Sequence, residues 1–158
     1  MKYLSIRVLF ALLMLLPYTS RSQQKALPDF HFLNTDKEAV GKKDIPKGKA
    51  LLLIYFRSDC DHCEHTAMQL KTTAAKYPAI IWMVSAEEIP ALRTFEDMAG
   101  LYDVNNLTVV QDNNHQMHKA YDFTQLPFIV LYSSSGKQLR TFSELPSVET
   151  VRKILNGK

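Results

Sequence analysis

Residues Ala50-Leu51-Leu52-Leu53-Ile54-Tyr55-Phe56 form a run without polar alternation, and a strand is apolar on both sides only where other layers cover both of its faces. Such a strand belongs inside a sheet. Soon after it comes Cys60-Asp61-His62-Cys63, which holds the only two cysteines of the 158-residue chain, and then a segment with helical periodicity. A thiolate placed where a strand hands over to a helix N-terminus meets the positive end of the helix dipole and unpaired backbone N–H groups, which favour its charged form. The spacing therefore predicts a reactive dithiol.

Beyond Cys60, apolar residues recur at Cys63, Ala67, Leu70, Ala74 and Tyr77, steps of four and three that make one stripe on a helix ended by Pro78. Cys63 lies on that stripe and Cys60 at its solvent end. Ala79 to Val84 reads as a second buried strand, followed by a helix from Ile89 to Ala99 with Pro90 in its first turn and Gly100 as its stop. Leu107 to Val110 is a short third strand and His115 to Tyr121 a short helix. Phe128 to Tyr132 and Lys137 to Phe142 form a hairpin about Ser133-Ser134-Ser135-Gly136, and Ser147 caps a closing helix from Val148 to Leu155. Upstream, Pro28 to Leu33 alternates like a short edge strand, and the lysine-rich Gly41 to Lys49 reads as a surface loop. The succession predicts an α/β three-layer sandwich, a central mixed β-sheet flanked by helices.

The N-terminus carries Lys2 and Arg7, the apolar run Val8 to Leu16, then Pro17 and the small-residue stretch Thr19-Ser20-Arg21-Ser22. Charged, apolar and small regions in that order describe a secretory signal peptide over residues 1–22, cleaved near Ser22-Gln23. The apolar core is far shorter than the roughly 20 residues that span a bilayer, so no stable membrane insertion is expected after cleavage. A short lead-in, residues 23–27, would then precede one domain over residues 28–158. The chain has 19 basic and 16 acidic residues; three basic ones and no acids lie in the signal, so the remainder carries no net charge. That balance offers nothing to nucleic acid or anionic lipid.

A disulfide between such close cysteines would remove only about 2 kcal/mol of unfolded-chain entropy, against nearly 5 kcal/mol for a long loop. Stability alone would space the cysteines further apart. Cys60, His62, Cys63 and His65 could together serve a metal, yet two of the four cysteines of a zinc ribbon are absent and every donor would come from one helix turn. No metal and no cofactor beyond the Cys60–Cys63 disulfide is expected, with a copper-handling site at Cys60, His62 and Cys63 as the rival reading. Glu64 rather than histidine follows the second cysteine, which argues against covalent haem attachment. Redox exchange remains, with Cys60 attacking a partner disulfide and Cys63, one turn deeper, resolving the mixed disulfide intramolecularly.

From Pro28 to Leu155 the chain resembles the thioredoxin superfamily, and within it the exported TlpA/ResA-like thiol-disulfide oxidoreductases. Four stretches carry the resemblance: the apolar strand leading into Cys60-Asp61-His62-Cys63, the strand Ile80 to Val84 with acids after it, Val110-Gln111-Asp112 to Ala120-Tyr121-Asp122-Phe123, and Gln125-Leu126-Pro127-Phe128-Ile129-Val130. It implies a thioredoxin-like sandwich and a periplasmic location. Partners would be exported cysteine-containing proteins and an upstream thiol redox partner. It also implies that Pro127 is cis and faces the dithiol, with Leu126 aimed at Cys60 so that its backbone pairs with a substrate strand.

By the same resemblance Glu87, with Glu88 as second choice, would take the proton of Cys63; Ser85-Ala86-Glu87-Glu88 equally fits a capping box for the next helix. The tuning residues compete. Charge on His62 lowers the Cys60 pKa, whereas Asp61, Asp59 and Glu64 raise it; the breadth of the resemblance favours a reductase. Departures from the family pattern are Asp59 where tryptophan is common, Ile54 in place of a buried aspartate, and Leu126 where relatives carry threonine, valine or isoleucine. A related peroxidase would want a proline and a threonine or serine just upstream of the attacking cysteine, and Ser58 stands at the wrong distance. His31, His115 and His118 are assigned no role, and Trp82 is assigned to the core.

Overall fold

In the computed structural model, which describes residues 25–157, strand β3 (Ala50–Tyr55) is buried along its whole length. The signal expected over residues 1–22 lies outside the described residues. β3 pairs in parallel with β4 (Ala79–Ser85) and antiparallel with β6 (Phe128–Tyr132), which gives it the interior position that its composition requires. β5 (Leu107–Gln111) adds in parallel to β4, and β7 (Gln138–Phe142) adds antiparallel to β6. With β1 (His31–Asn34) and β2 (Ala39–Gly41), the mixed sheet has seven strands in the order β2-β1-β5-β4-β3-β6-β7.

Among the described residues, four helices cover it. They are α1 (Asp61–Thr73), α2 (Ile89–Ala99), α3 (Gln116–Ala120) and α4 (Val148–Leu155). Two successive parallel crossovers in one direction, β3-α1-β4 and β4-α2-β5, must lie on one face if both are right-handed. The burial pattern agrees: Leu52, Ile54, Ile81, Met83 and Ile129 join Leu70, Leu92 and Val151 of α1, α2 and α4 in one cluster. The alternate residues Leu51, Leu53, Tyr55, Trp82 and Val130 join Met117 of α3 and Phe30 and Phe32 in the other. Pleating thus sorts one apolar run into two cores, and the fold is the expected thioredoxin-like three-layer sandwich.

The stripe on α1 is buried at Cys63, Ala67 and Leu70. The α-helix itself stops at Thr73 and a 3₁₀ turn, Ala74–Lys76, carries the chain to Tyr77. α2 has the expected limits, with proline in its first turn and Gly100 at its end in the left-handed region, φ 65°. α4 has them too, and Ser147 Oγ accepts the Thr150 N–H at 3.1 Å.

Two expectations fail near the N-terminus. The strand read as an edge is interior, because β2 turns back outside it and pairs with it at His31↔Gly41 and Phe32↔Val40. Asn34 makes that reversal: its Oδ1 accepts the N–H groups of Asp36 at 3.0 Å and Glu38 at 2.8 Å, and Lys37 takes φ 67°. Gly41 to Lys49 is only partly loop, since Gly41 ends β2 and Lys42–Asp44 form a 3₁₀ turn. Lys25 to Leu27 is also bonded into the fold, through Leu27 N–H to the Gly136 carbonyl at 2.7 Å and Gln138 N–H to the Lys25 carbonyl at 2.9 Å.

Candidate active site

Cys60 is the N-cap of α1: its backbone is extended, its carbonyl accepts the Glu64 N–H at 3.0 Å, and its Sγ accepts the Cys63 N–H at 3.3 Å. Sulfur here takes the place of the oxygen that serine or aspartate supplies at ordinary caps. Cys60 is half-buried, whereas Cys63 has no exposed surface and packs in the α1-side core. The two are joined as a disulfide, with Cα atoms 5.2 Å apart. One sulfur is reachable and the other lies behind it.

Glu87 holds the approach to Cys60. Its carboxylate accepts from Ser58 N at 2.9 Å, Ser58 Oγ at 2.6 Å and Ser85 Oγ at 3.0 Å. The capping-box alternative does not form, because the N-cap of α2 is Glu88 and no side chain caps it. Glu88 instead lies 3.4 Å from the amide nitrogen of Gln111. The Ser58–Glu87 contact follows from parallel register: Tyr55 pairs with Val84, and each partner stands three residues beyond its own member of that pair. Nothing local in the sequence marks Ser58; the strand-helix-strand succession, which calls for parallel pairing of the two apolar runs, is the signal that could have found it.

The Leu126–Pro127 peptide is cis. Leu126 is half-buried and touches both cores, while Pro127 shares a cavity of about 470 Å³ with Asp61, His62 and Glu144. Thus Pro127 and the two residues between the cysteines line one surface. Asp61 and Glu64 occupy the first turn of α1, and Asp61, His62 and Glu64 are exposed. Asp59, also exposed, is ion-paired with Arg57. On the other side of α1, Ser58, Glu64, Met68, Phe95 and Met98 line a second hollow of about 390 Å³.

Behind the proline an aromatic stack supports the loop. Phe123 lies parallel to Phe128 with ring centroids 4.6 Å apart, and His118 stacks on Phe123 at 4.5 Å and meets Tyr55 edge-on at 5.0 Å. The sequence gives His118 no role, and its stacking here is a tertiary contact that no local pattern marks. Burial, helped by the nearby carboxylate of Asp112, pushes the Tyr55 phenol above its ordinary pKa, so it stays neutral beside the site. Trp82 is in the core, as expected, and meets Phe32 edge-on at 6.2 Å.

Residues 23–147 match the model of the AhpC/TSA family, and the chain belongs to that family. No curated protein is significantly similar to it in sequence. Among solved structures, it superposes with TM-score 0.68 on the thioredoxin domain of a thiol-disulfide oxidoreductase from Bacteroides vulgatus, at 22% identity, covering 87% of this chain and 100% of that one. A secreted disulfide oxidoreductase from Mycobacterium tuberculosis gives TM-score 0.64 at 16% identity, over 82% and 96% of the two chains. The exposed lipoprotein thioredoxin of Streptococcus pneumoniae gives 0.61 at 18% identity, over 83% and 100%. The chain therefore has the fold of thiol-disulfide oxidoreductases and carries a Cys60–Cys63 pair within it.

Proposed function

We propose that the chain is an exported thiol-disulfide oxidoreductase of the TlpA/ResA-like kind that reduces disulfides in exported proteins and is recharged by an upstream thiol donor. The observation that carries this reading is the unequal pair at the start of α1, a half-buried Cys60 at the cap and a fully buried Cys63 behind it. In the reduced protein, the Cys60 thiolate attacks one sulfur of a partner disulfide and expels the other as a thiolate. Cys63 then loses its proton and attacks Cys60 Sγ, closing the internal disulfide and releasing the second partner thiol. Two electrons pass to the partner, and a dithiol donor returns them.

The direction assigned is reduction. Asp61 and Glu64 in the first turn of α1 oppose a thiolate at Cys60, while the dipole and any charge on His62 favour it. A less stabilised thiolate gives up its electrons more readily. Glu87 positions the Ser58 segment that leads into Cys60 and takes up the Cys63 proton during resolution. Leu126 and Pro127 receive the partner strand. The signal expected over residues 1–22 supports export to the periplasm, and no described helix is long and apolar enough to cross a membrane.

Trapping in cells with Cys63→Ser is the test. Partners should accumulate as mixed disulfides through Cys60 and disappear in Cys60→Ser/Cys63→Ser; no linked protein under reducing or oxidising growth would sink the reading. Consumption of peroxide by the reduced protein, without trapped proteins, would move the assignment to peroxide reduction. Glu87→Gln keeps the bulk and removes the charge, so resolution should slow by about 100-fold or more with a changed pH profile, in line with the loss of a positioned proton acceptor. A slower rate with an unaltered profile would leave Glu87 a purely positioning role.

A further inference from the structure

Beside Pro127, next to the cavity that this proline shares with Asp61 and His62, lies a hollow of about 750 Å³ walled by Phe123, Phe128, Phe142 and Pro127 and rimmed by Asp122 and Glu144. Its walls are built before any ligand arrives. The Phe123 and Phe128 rings stack within 5° of parallel, and the buried Tyr77 hydroxyl donates to the Pro146 carbonyl at 2.6 Å, fixing the loop opposite. Asp122 and Glu144 are exposed, and among the described residues no lysine, arginine or histidine lines the hollow. Pro127 and Glu144 also line the cavity that holds Asp61 and His62, so the two hollows meet at the proline. A chain linked to Cys60 and lying along Pro127 would carry its neighbouring side chains into this space.

Aromatic and proline walls below a carboxylate rim fit a long side chain with an apolar stem and a cationic head. We propose that this hollow selects partner polypeptides bearing arginine or lysine within a few residues of the cysteine that Cys60 attacks. The inference rests on the exchange reading above and adds the class of partner. An acidic flank would meet Asp122, Glu144 and Asp61 and be repelled; an arginine would keep its head in water beside the carboxylates while its stem covers Phe123 and Phe128.

The test uses the reduced full-length protein and three peptides that differ only in the residues flanking one cysteine, arginine, glutamine or glutamate. In each, that cysteine is disulfide-linked to thionitrobenzoate. Cys60 attacks the peptide sulfur and expels coloured thionitrobenzoate; Cys63 then gives its proton to Glu87, attacks Cys60 and releases the peptide thiolate, which is protonated. Colour release should run arginine, then glutamine, then glutamate, with about a tenfold spread at low ionic strength that shrinks in high salt. The spread should fall to about twofold in Asp122→Asn/Glu144→Gln, where the attracting charges are gone. Equal rates for the three peptides, or an undiminished spread in that variant, overturns the proposal while leaving exchange intact. No colour from any peptide overturns the exchange reading and this inference with it.

Discussion

The two faces of the sheet are built from different materials. On the side of α1, α2 and α4 the core is mainly aliphatic, with Leu52, Ile54, Leu70, Ile81 and Leu92 fully buried, and Cys63 is one of its members. On the side of α3 the core includes Phe30, Phe32, Tyr55, Trp82, Tyr121 and Tyr132, and polar pins rather than long helices close it. Asp112, without exposed surface, accepts the N–H groups of Gln116 and Met117 at 2.8 Å each. The difference teaches why the resolving sulfur sits where it does. An interdigitated aliphatic stripe buries a small apolar thiol along a long helix, whereas the aromatic face supplies rigid rings that brace the Pro127 loop from behind.

Deletion on the aliphatic face is expected to have the largest effect. Leu70→Ala opens a cavity on the stripe that also carries Cys63, and stability in urea should fall by about 3 kcal/mol. A loss under about 1 kcal/mol would mean that α1 is not held by this packing. On the aromatic face the polar pin matters instead. Asp112→Ala strands two backbone donors and should cost about 2 kcal/mol, leaving the rate of Cys60 alkylation in the reduced protein unchanged. If alkylation changes too, the two faces are less independent than their cores suggest.

The smallest effect tests a buried charge on α2. Glu96, buried on α2, accepts from the buried Thr35 Oγ1 at 2.7 Å, while Arg93 ties the Thr35 carbonyl and Asp36. Burial raises the Glu96 pKa above its ordinary value, against the opposing effect of the Thr35 hydrogen bond. A carboxyl raised in the folded state favours folding below its unfolded pKa, and that contribution is lost as pH climbs through the raised folded value. Glu96→Gln mimics the protonated form. It should therefore stabilise the protein at pH 7 and make little difference near pH 4, as urea unfolding at the two pH values would show.

Much of this arrangement was legible in the chain. α2 and α4 have their expected limits because Pro90, Gly100 and Ser147 act within one turn of themselves. The buried stripe through Cys63 was legible because a step of three or four residues marks a helix face wherever the helix lies. β1 was misplaced as an edge because alternation shows which side chains are buried and not which strand lies outside; the Asn34 turn and β2 settled that. The capping-box reading at Ser85 fails for a similar reason: the helix starts after Glu88, and Glu87 reaches across to Ser58, 29 residues away.

By itself, the sequence determined that an apolar strand delivers two cysteines to the start of a helix, one outward and one on the buried stripe. Apolar runs, stripes and caps are local patterns that neighbouring residues enforce on one another. Only the tertiary structure decided that Glu87 anchors Ser58, that Glu96 meets Thr35, and that Asp122 and Glu144 rim one hollow beside Pro127. Those pairings depend on strand order and register, which bring together side chains far apart in the chain.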